Sequence, residues 1–140
     1  MKGRILFVIF SFFLVACNKV NNNPVPNFPF DISIDINLPS YNGLSGVGGW
    51  AYVAGGSKGI IVYRRSMDEF VAFDRHSPAD VNGTCSQPLY PDSVNFLQLN
   101  DDCNNAKFSL YDGSPISGSD FGLRMYQTMF NGSNQLRIYN

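Results

Sequence analysis

Three cysteines and a single histidine limit the chemistry open to this 140-residue chain. The cysteines are Cys17, Cys85 and Cys103, and the histidine is His76. Asp74, Ser77 and Asp80 flank His76, and Asp101-Asp102 precedes Cys103. A histidine among carboxylates is able to hold a divalent cation. No second His or Cys stands at ligand spacing, so a solvated loop histidine is the expectation and no metal site is assigned. Ser77 beside His76 is no nucleophile–base pair, because sequence neighbours rarely present base to nucleophile. Asp101-Asp102 reads as a solvated loop pair. The run Gly55-Gly56-Ser57-Lys58-Gly59 lacks the Gly-Lys-Ser/Thr ending of a phosphate loop and precedes no helix, so it reads as a hairpin turn. No catalytic residue is assigned and no enzyme activity is expected.

The N-terminus is a targeting segment and is set aside before the fold is considered. Lys2 and Arg4 precede an apolar run, residues 5–14, that is short of the roughly 20 residues a membrane span needs. Leu14-Val15-Ala16-Cys17 follows and resembles the bacterial lipobox. That resemblance implies a signal peptide over 1–16, cleavage before Cys17 and lipidation of the Cys17 thiol. Two or three acyl chains make a stable anchor where one is marginal. The expected address is the bacterial cell envelope, at the outer membrane. Residues 17–30, rich in Asn and Pro, read as the lipidated cysteine and a flexible tether. Cys85 and Cys103 remain, and an even pair in an exported domain reads as a disulfide.

The mature chain carries eight basic and eleven acidic residues. That balance excludes the basic stripe of a nucleic-acid binder. Residues 31–140 have room for one domain. Residues 31–37 (DISIDIN) alternate as a half-buried strand does. Strands are also expected over 49–53, 60–64, 69–74, 94–99, 107–111, 121–130 and 135–139, with turns between them. Residues 75–95 hold no regular pattern and read as a long loop pinned by Cys85. No stretch reads as a useful helix. Short strands with a turn signal every eight to twelve residues predict an all-β, small antiparallel sandwich or barrel. The aromatic residues, including Trp50, Tyr90, Tyr111, Tyr126 and Tyr139, are read as core and cross-strand pairs. Asn82 and Asn131, though each begins an Asn-Gly-Thr/Ser triplet, are read as plain turns.

The chain is organised around residues 101–113, DDCNNAKFSLYDG: a loop tip, a short strand and a turn. This stretch resembles the second cluster-binding loop of Rieske iron–sulfur domains. Residues 59–80 (GIIVYRRSMDEFVAFDRHSPAD) are similar to the strand pair that leads into the first such loop. The resemblance covers a little under half of the chain and implies a Rieske-like β domain. It also implies where the cluster ligands would stand: Ser77 and Ala79 in the first loop, Asp101 and Asn104 in the second. A Rieske [2Fe–2S] centre needs two Cys and two His. None of the four residues is such a ligand, and the chain has one histidine. The resemblance further implies a Cys85–Cys103 bridge, since many Rieske proteins link these two loops through an extra cysteine. The expectation is therefore a cluster-free structural or interaction module. It holds no cofactor, is membrane-bound through Cys17 and has an envelope protein as partner. The alternative is an electron-transfer component whose [2Fe–2S] ligands are non-standard or supplied by a partner.

Overall fold

The computed structural model describes residues 22–140. Ten strands form two antiparallel sheets. The strands are β1 (Asp31–Asp35), β2 (Trp50–Val53), β3 (Ile60–Arg64), β4 (Phe70–Asp74), β5 (Tyr90–Pro91), β6 (Gln98–Asp101), β7 (Ala106–Ser109), β8 (Pro115–Ser117), β9 (Met125–Phe130) and β10 (Gln135–Tyr139). The larger, curled sheet has the order β1-β10-β9-β4-β3-β2, and the smaller has the order β5-β6-β7-β8. The predicted all-β architecture is what the chain adopts.

β3 and β4 are buried at every position. The run IIVYR does not alternate in polarity because both of its faces are covered. Ile60, Val62, Phe70 and Ala72 face one core, shared with Ile34, Leu136 and Ile138 from β1 and β10. Ile61, Tyr63, Val71 and Phe73 face a second core, shared with Leu99, Phe108 and Leu110 of the smaller sheet and its turn. The β3–β4 hairpin is thus the wall between two cores, and its ends are where the loops of both sheets gather.

Several strands end earlier or later than their alternation implies. β1 stops at Asp35 because the Asp35 carboxylate accepts the Asn37 amide at 2.9 Å, an Asx turn that diverts the backbone. Residues 94–97 form a turn rather than the start of a strand. Asp92 draws in the amides of Val94 and Asn95 at 2.8 and 2.7 Å, and β6 begins at Gln98. The strand expected over 121–130 is confined to β9, since Gly122 and Leu123 bond instead to Asn23 and Gly113. Two short strands, β5 and β8, lie in stretches read as loops, and Pro39–Leu44 forms a 3-10 turn.

Within the stretch expected as a tether, residues 23–30 lie along the β body. Asn23 donates to the Gly122 carbonyl at 2.8 Å, Val25 is fully buried, and Arg124 donates twice to the Val25 carbonyl. Phe30 packs edge-on against Tyr126, with ring centroids 4.6 Å apart. The signal peptide and Cys17 lie outside the described residues.

Candidate functional site

The two loops that the resemblance pairs meet at one end of the molecule, beyond the C-terminal end of β4 and the β6–β7 hairpin. Cys85 and Cys103 are joined by a disulfide there, with Cα atoms 5.9 Å apart. The four positions implied as former cluster sites are occupied as follows. Ser77 is buried, and its hydroxyl accepts the Ala79 amide at 3.1 Å. Ala79 packs against the second core. Asp101 is buried, and its carboxylate accepts the amides of Cys103 and Asn104 and the Asn104 side chain. The structure therefore pairs Ser77 with Ala79 and Asp101 with Asn104. Among the described residues, no hydrogen bond links one pair to the other. The two cysteine sulfurs and an Asp101 oxygen lie within 4.8 Å of one another. A sulfur committed to a disulfide is no thiolate, and metals bind thiolate.

Beside these loops stands a polar cluster that local sequence does not reveal. Asp74, the last residue of β4, is fully buried. Its carboxylate accepts the amides of Ser57 at 2.5 Å, Lys58 at 3.1 Å and His76 at 2.7 Å, and the Tyr126 hydroxyl at 2.6 Å. A buried carboxylate is tolerated only when its lone pairs are met in this way. Burial and the Asp74 carboxylate both push the Tyr126 hydroxyl upward in pKa, so Tyr126 acts as a donor at any ordinary pH. The glycine run supplies the close approach: Gly56 has φ +64°, and a Cβ there would lie 2.4 Å from the Asp74 carboxylate. The run is the connection of the β2–β3 hairpin, as expected.

His76 is buried and faces Ser57, Lys58, Asp74 and Asp80. The Ser57 hydroxyl lies 2.7 Å from His76 Nδ1, and His76 Nε2 lies 3.6 Å from Asp80. With the hydroxyl donating to Nδ1, the ring proton is assigned to Nε2, toward Asp80. Burial first, and then the Lys58 cation, lower the His76 pKa below its usual value, so the ring is neutral at pH 7. Burial works to raise the Asp80 pKa. The Lys58 ammonium at 3.1 Å and the amides of Thr84 and Cys85 outweigh it, and the carboxyl is held below the ordinary range. Lys58 also donates to the Cys85 carbonyl, which ties this cluster to the disulfide loop.

Ser57, His76 and Asp80 have the order of a hydrolytic relay. A nucleophilic serine also needs donors aimed at the developing oxyanion. The amides nearest to hand, those of Ser57 and Lys58, are both spent on Asp74. The arrangement ties the hairpin turn, the first loop and the disulfide loop together through hydrogen bonds. Of the aspartates near His76 in sequence or by loop pairing, Asp74 and Asp80 contact it, whereas Asp101 bonds within its own turn. Ser57, Lys58 and Tyr126 were not legible as members. The one available signal is a glycine pair preceding a polar dipeptide in a hairpin.

Next to Ala79 the surface opens into a cavity of about 160 Å³, lined by Pro78, Ala79, Val81 and residues 118–121. No protein-family model matches the chain, and a search of curated proteins finds no match.

Proposed function

We propose that this chain is a non-catalytic interaction domain of the bacterial cell envelope, lipid-anchored through Cys17 and built on a Rieske-like β fold that no longer takes a cluster. The observation that carries this reading is how the loop ends are used. Ser77 and Asp101 spend their side-chain oxygens on their own loops, Ala79 offers no donor, and the two cysteines are bonded to each other. A Rieske centre asks for two thiolates and two imidazoles at this place. With the neighbouring His76 engaged by Ser57, the loops serve as a rigid platform beside the 118–121 cavity. A partner protein of the envelope is the class of ligand such a platform suits.

The test is visible absorbance together with iron and acid-labile sulfide analysis of the full chain, matured in an oxidising compartment. A colourless, iron-free, folded protein is the expected result. Stoichiometric iron and sulfide would overturn the reading in favour of an electron-transfer component with non-standard [2Fe–2S] ligands.

A further inference from the structure

The two loops joined by the Cys85–Cys103 bridge are each held by bonds that use no sulfur. Cys103 sits at the tip of the β6–β7 hairpin, where the Asp101 carboxylate accepts its amide at 3.0 Å and that of Asn104 at 3.1 Å. Asn105 completes the turn in the left-handed region, with φ +51°. Below the tip, Gln98–Asp101 pairs antiparallel with Ala106–Ser109. Cys85 is fixed from the first loop. Its amide donates to Asp80 at 3.2 Å, and its carbonyl accepts the Lys58 ammonium. Cutting the bridge therefore leaves two neighbouring thiols on loops that keep their other ties.

A third donor stands beside them. The two sulfurs and an Asp101 carboxylate oxygen lie within 4.8 Å of one another. Tetrahedral zinc asks for sulfurs about 3.8 Å apart, each about 3.6 Å from a ligating oxygen. With the S–S bond open, side-chain rotation reaches the first distance while the Cα atoms stay 5.9 Å apart. The Asp101 oxygen reaches the second by closing little more than about 1 Å. Asp101 is buried, and the amides of Cys103 and Asn104 and the Asn104 side chain form the outer shell that aims a ligating carboxylate. A carboxylate has about four lone-pair sites, so one remains for a cation. Two thiolates and a carboxylate suit zinc, whereas calcium and magnesium take oxygen alone.

We infer that the reduced form of this bridge is a zinc site, with Cys85, Cys103 and Asp101 as ligands and water in the fourth position. Cys103 is exposed and Cys85 is buried, which directs a thiolate to the Cys103 sulfur. The co-reactant is a dithiol. Its thiolate bonds to Cys103 Sγ, the Cys85–Cys103 bond breaks, and Cys85 leaves as a thiolate that takes a proton. The second thiol of the reductant then attacks the mixed disulfide, closes the reductant to its own disulfide and frees Cys103, which takes a proton in turn. Two electrons and two protons have passed to the protein. Zinc displaces the two thiol protons and joins the same two loops that the bridge joined. The interaction domain thus has two loop linkages, one covalent and one through metal, and the redox state selects between them. Neither the anchor at Cys17 nor the identity of a partner enters this inference.

The test uses the full chain matured in an oxidising compartment, reduced with dithiothreitol, freed of reductant under argon and given Zn2+ alone. The reduced chain is expected to keep one zinc through gel filtration, and the oxidised chain none. Zinc is also expected to raise the urea midpoint of the reduced chain and to leave that of the oxidised chain unchanged. Asp101→Asn keeps an oxygen for the two turn amides and loses the anionic ligand. Its zinc affinity, read against a chromophoric chelator, is expected to fall about tenfold or more. Asp101→Ser, whose hydroxyl also accepts a turn amide, takes its place if Asp101→Asn fails to match the parent's urea midpoint. X-ray absorption at the zinc edge counts the ligands without any variant, and two sulfurs with two lighter atoms are expected. A reduced, folded chain that holds no zinc overturns the inference, as does a reduced chain that stays unfolded when zinc is added. Zinc without two sulfurs around it, or an affinity unchanged by the Asp101 variant, overturns it too.

Discussion

The β3–β4 hairpin ends in opposite charges, and each gathers loops in its own way. At the disulfide end a buried anion, Asp74, collects three backbone amides and the Tyr126 hydroxyl. At the other end a buried cation, Arg64, collects the carbonyls of Leu44, Ser45, Ser66 and Met67 and lies over the Phe70 ring at 5.1 Å. The anion sits where loops of both sheets converge, and a second polar cluster and a covalent bridge surround it. The cation sits under turns whose side chains point outward. One end directs its polar groups inward and is locked. The other satisfies its backbone cheaply and leaves apolar side chains exposed to whatever lies outside. The covalent bridge and the densest polar network belong to the first end, and the more exposed apolar turns to the second.

The largest expected effect is at the anion. Asp74→Ala leaves four donors without an acceptor, those of His76 and Tyr126 buried and those of Ser57 and Lys58 part-buried, which predicts a loss of about 4 kcal/mol in urea unfolding. A loss under about 1 kcal/mol would mean that water enters and replaces the carboxylate. Removing the bridge comes next. Cys85→Ser with Cys103→Ser is expected to cost about 3 kcal/mol from loop entropy over 18 residues, read from the same midpoints with and without reductant. Arg64→Met keeps the apolar stem over Phe70 but removes the donors. The Leu44 carbonyl is buried, but those of Ser45, Ser66 and Met67 are only part-buried and can take water, so about 2 kcal/mol is expected. A loss equal to that of Asp74→Ala would erase the contrast between the ends.

The smallest effect is a pH dependence. His76 has its pKa lowered in the folded protein, so the unfolded chain takes up the proton first. Stability is therefore full above about pH 6.5 and falls as the pH drops below it, by up to about 1.4 kcal/mol per pH unit. Asp80, whose carboxyl is also lowered, adds its own loss only at more acid pH. In His76→Asn the fall between pH 6.5 and 5 should flatten. An unchanged slope would assign the acid sensitivity to other groups.

The sequence by itself determined the elements whose pattern is local. The Ile32-Ile34-Ile36 alternation marks β1, the IIVYR run marks a strand, and the glycine run and Asn131-Gly132 mark hairpin turns. The Cys85–Cys103 pairing was also expected, on the reading that Cys17 takes a lipid and leaves an even pair, and the structure forms that bridge. What tertiary structure alone decided is which distant groups share a lone pair. Tyr126 reaches Asp74 across 52 positions, and Ser57 reaches His76 across 19. Neither contact leaves a trace in local periodicity, because antiparallel register is set by the packing of both cores. The same holds for residues 94–97. Their apolar character is that of a strand, and an Asp92 carboxylate that meets two backbone amides turns them outward. Burial of Val25 has a similar origin, since the segment that carries it is held by Gly122 and Arg124, about a hundred residues away. Local chemistry chose the strands, and long-range hydrogen bonding chose which distant groups meet at each end.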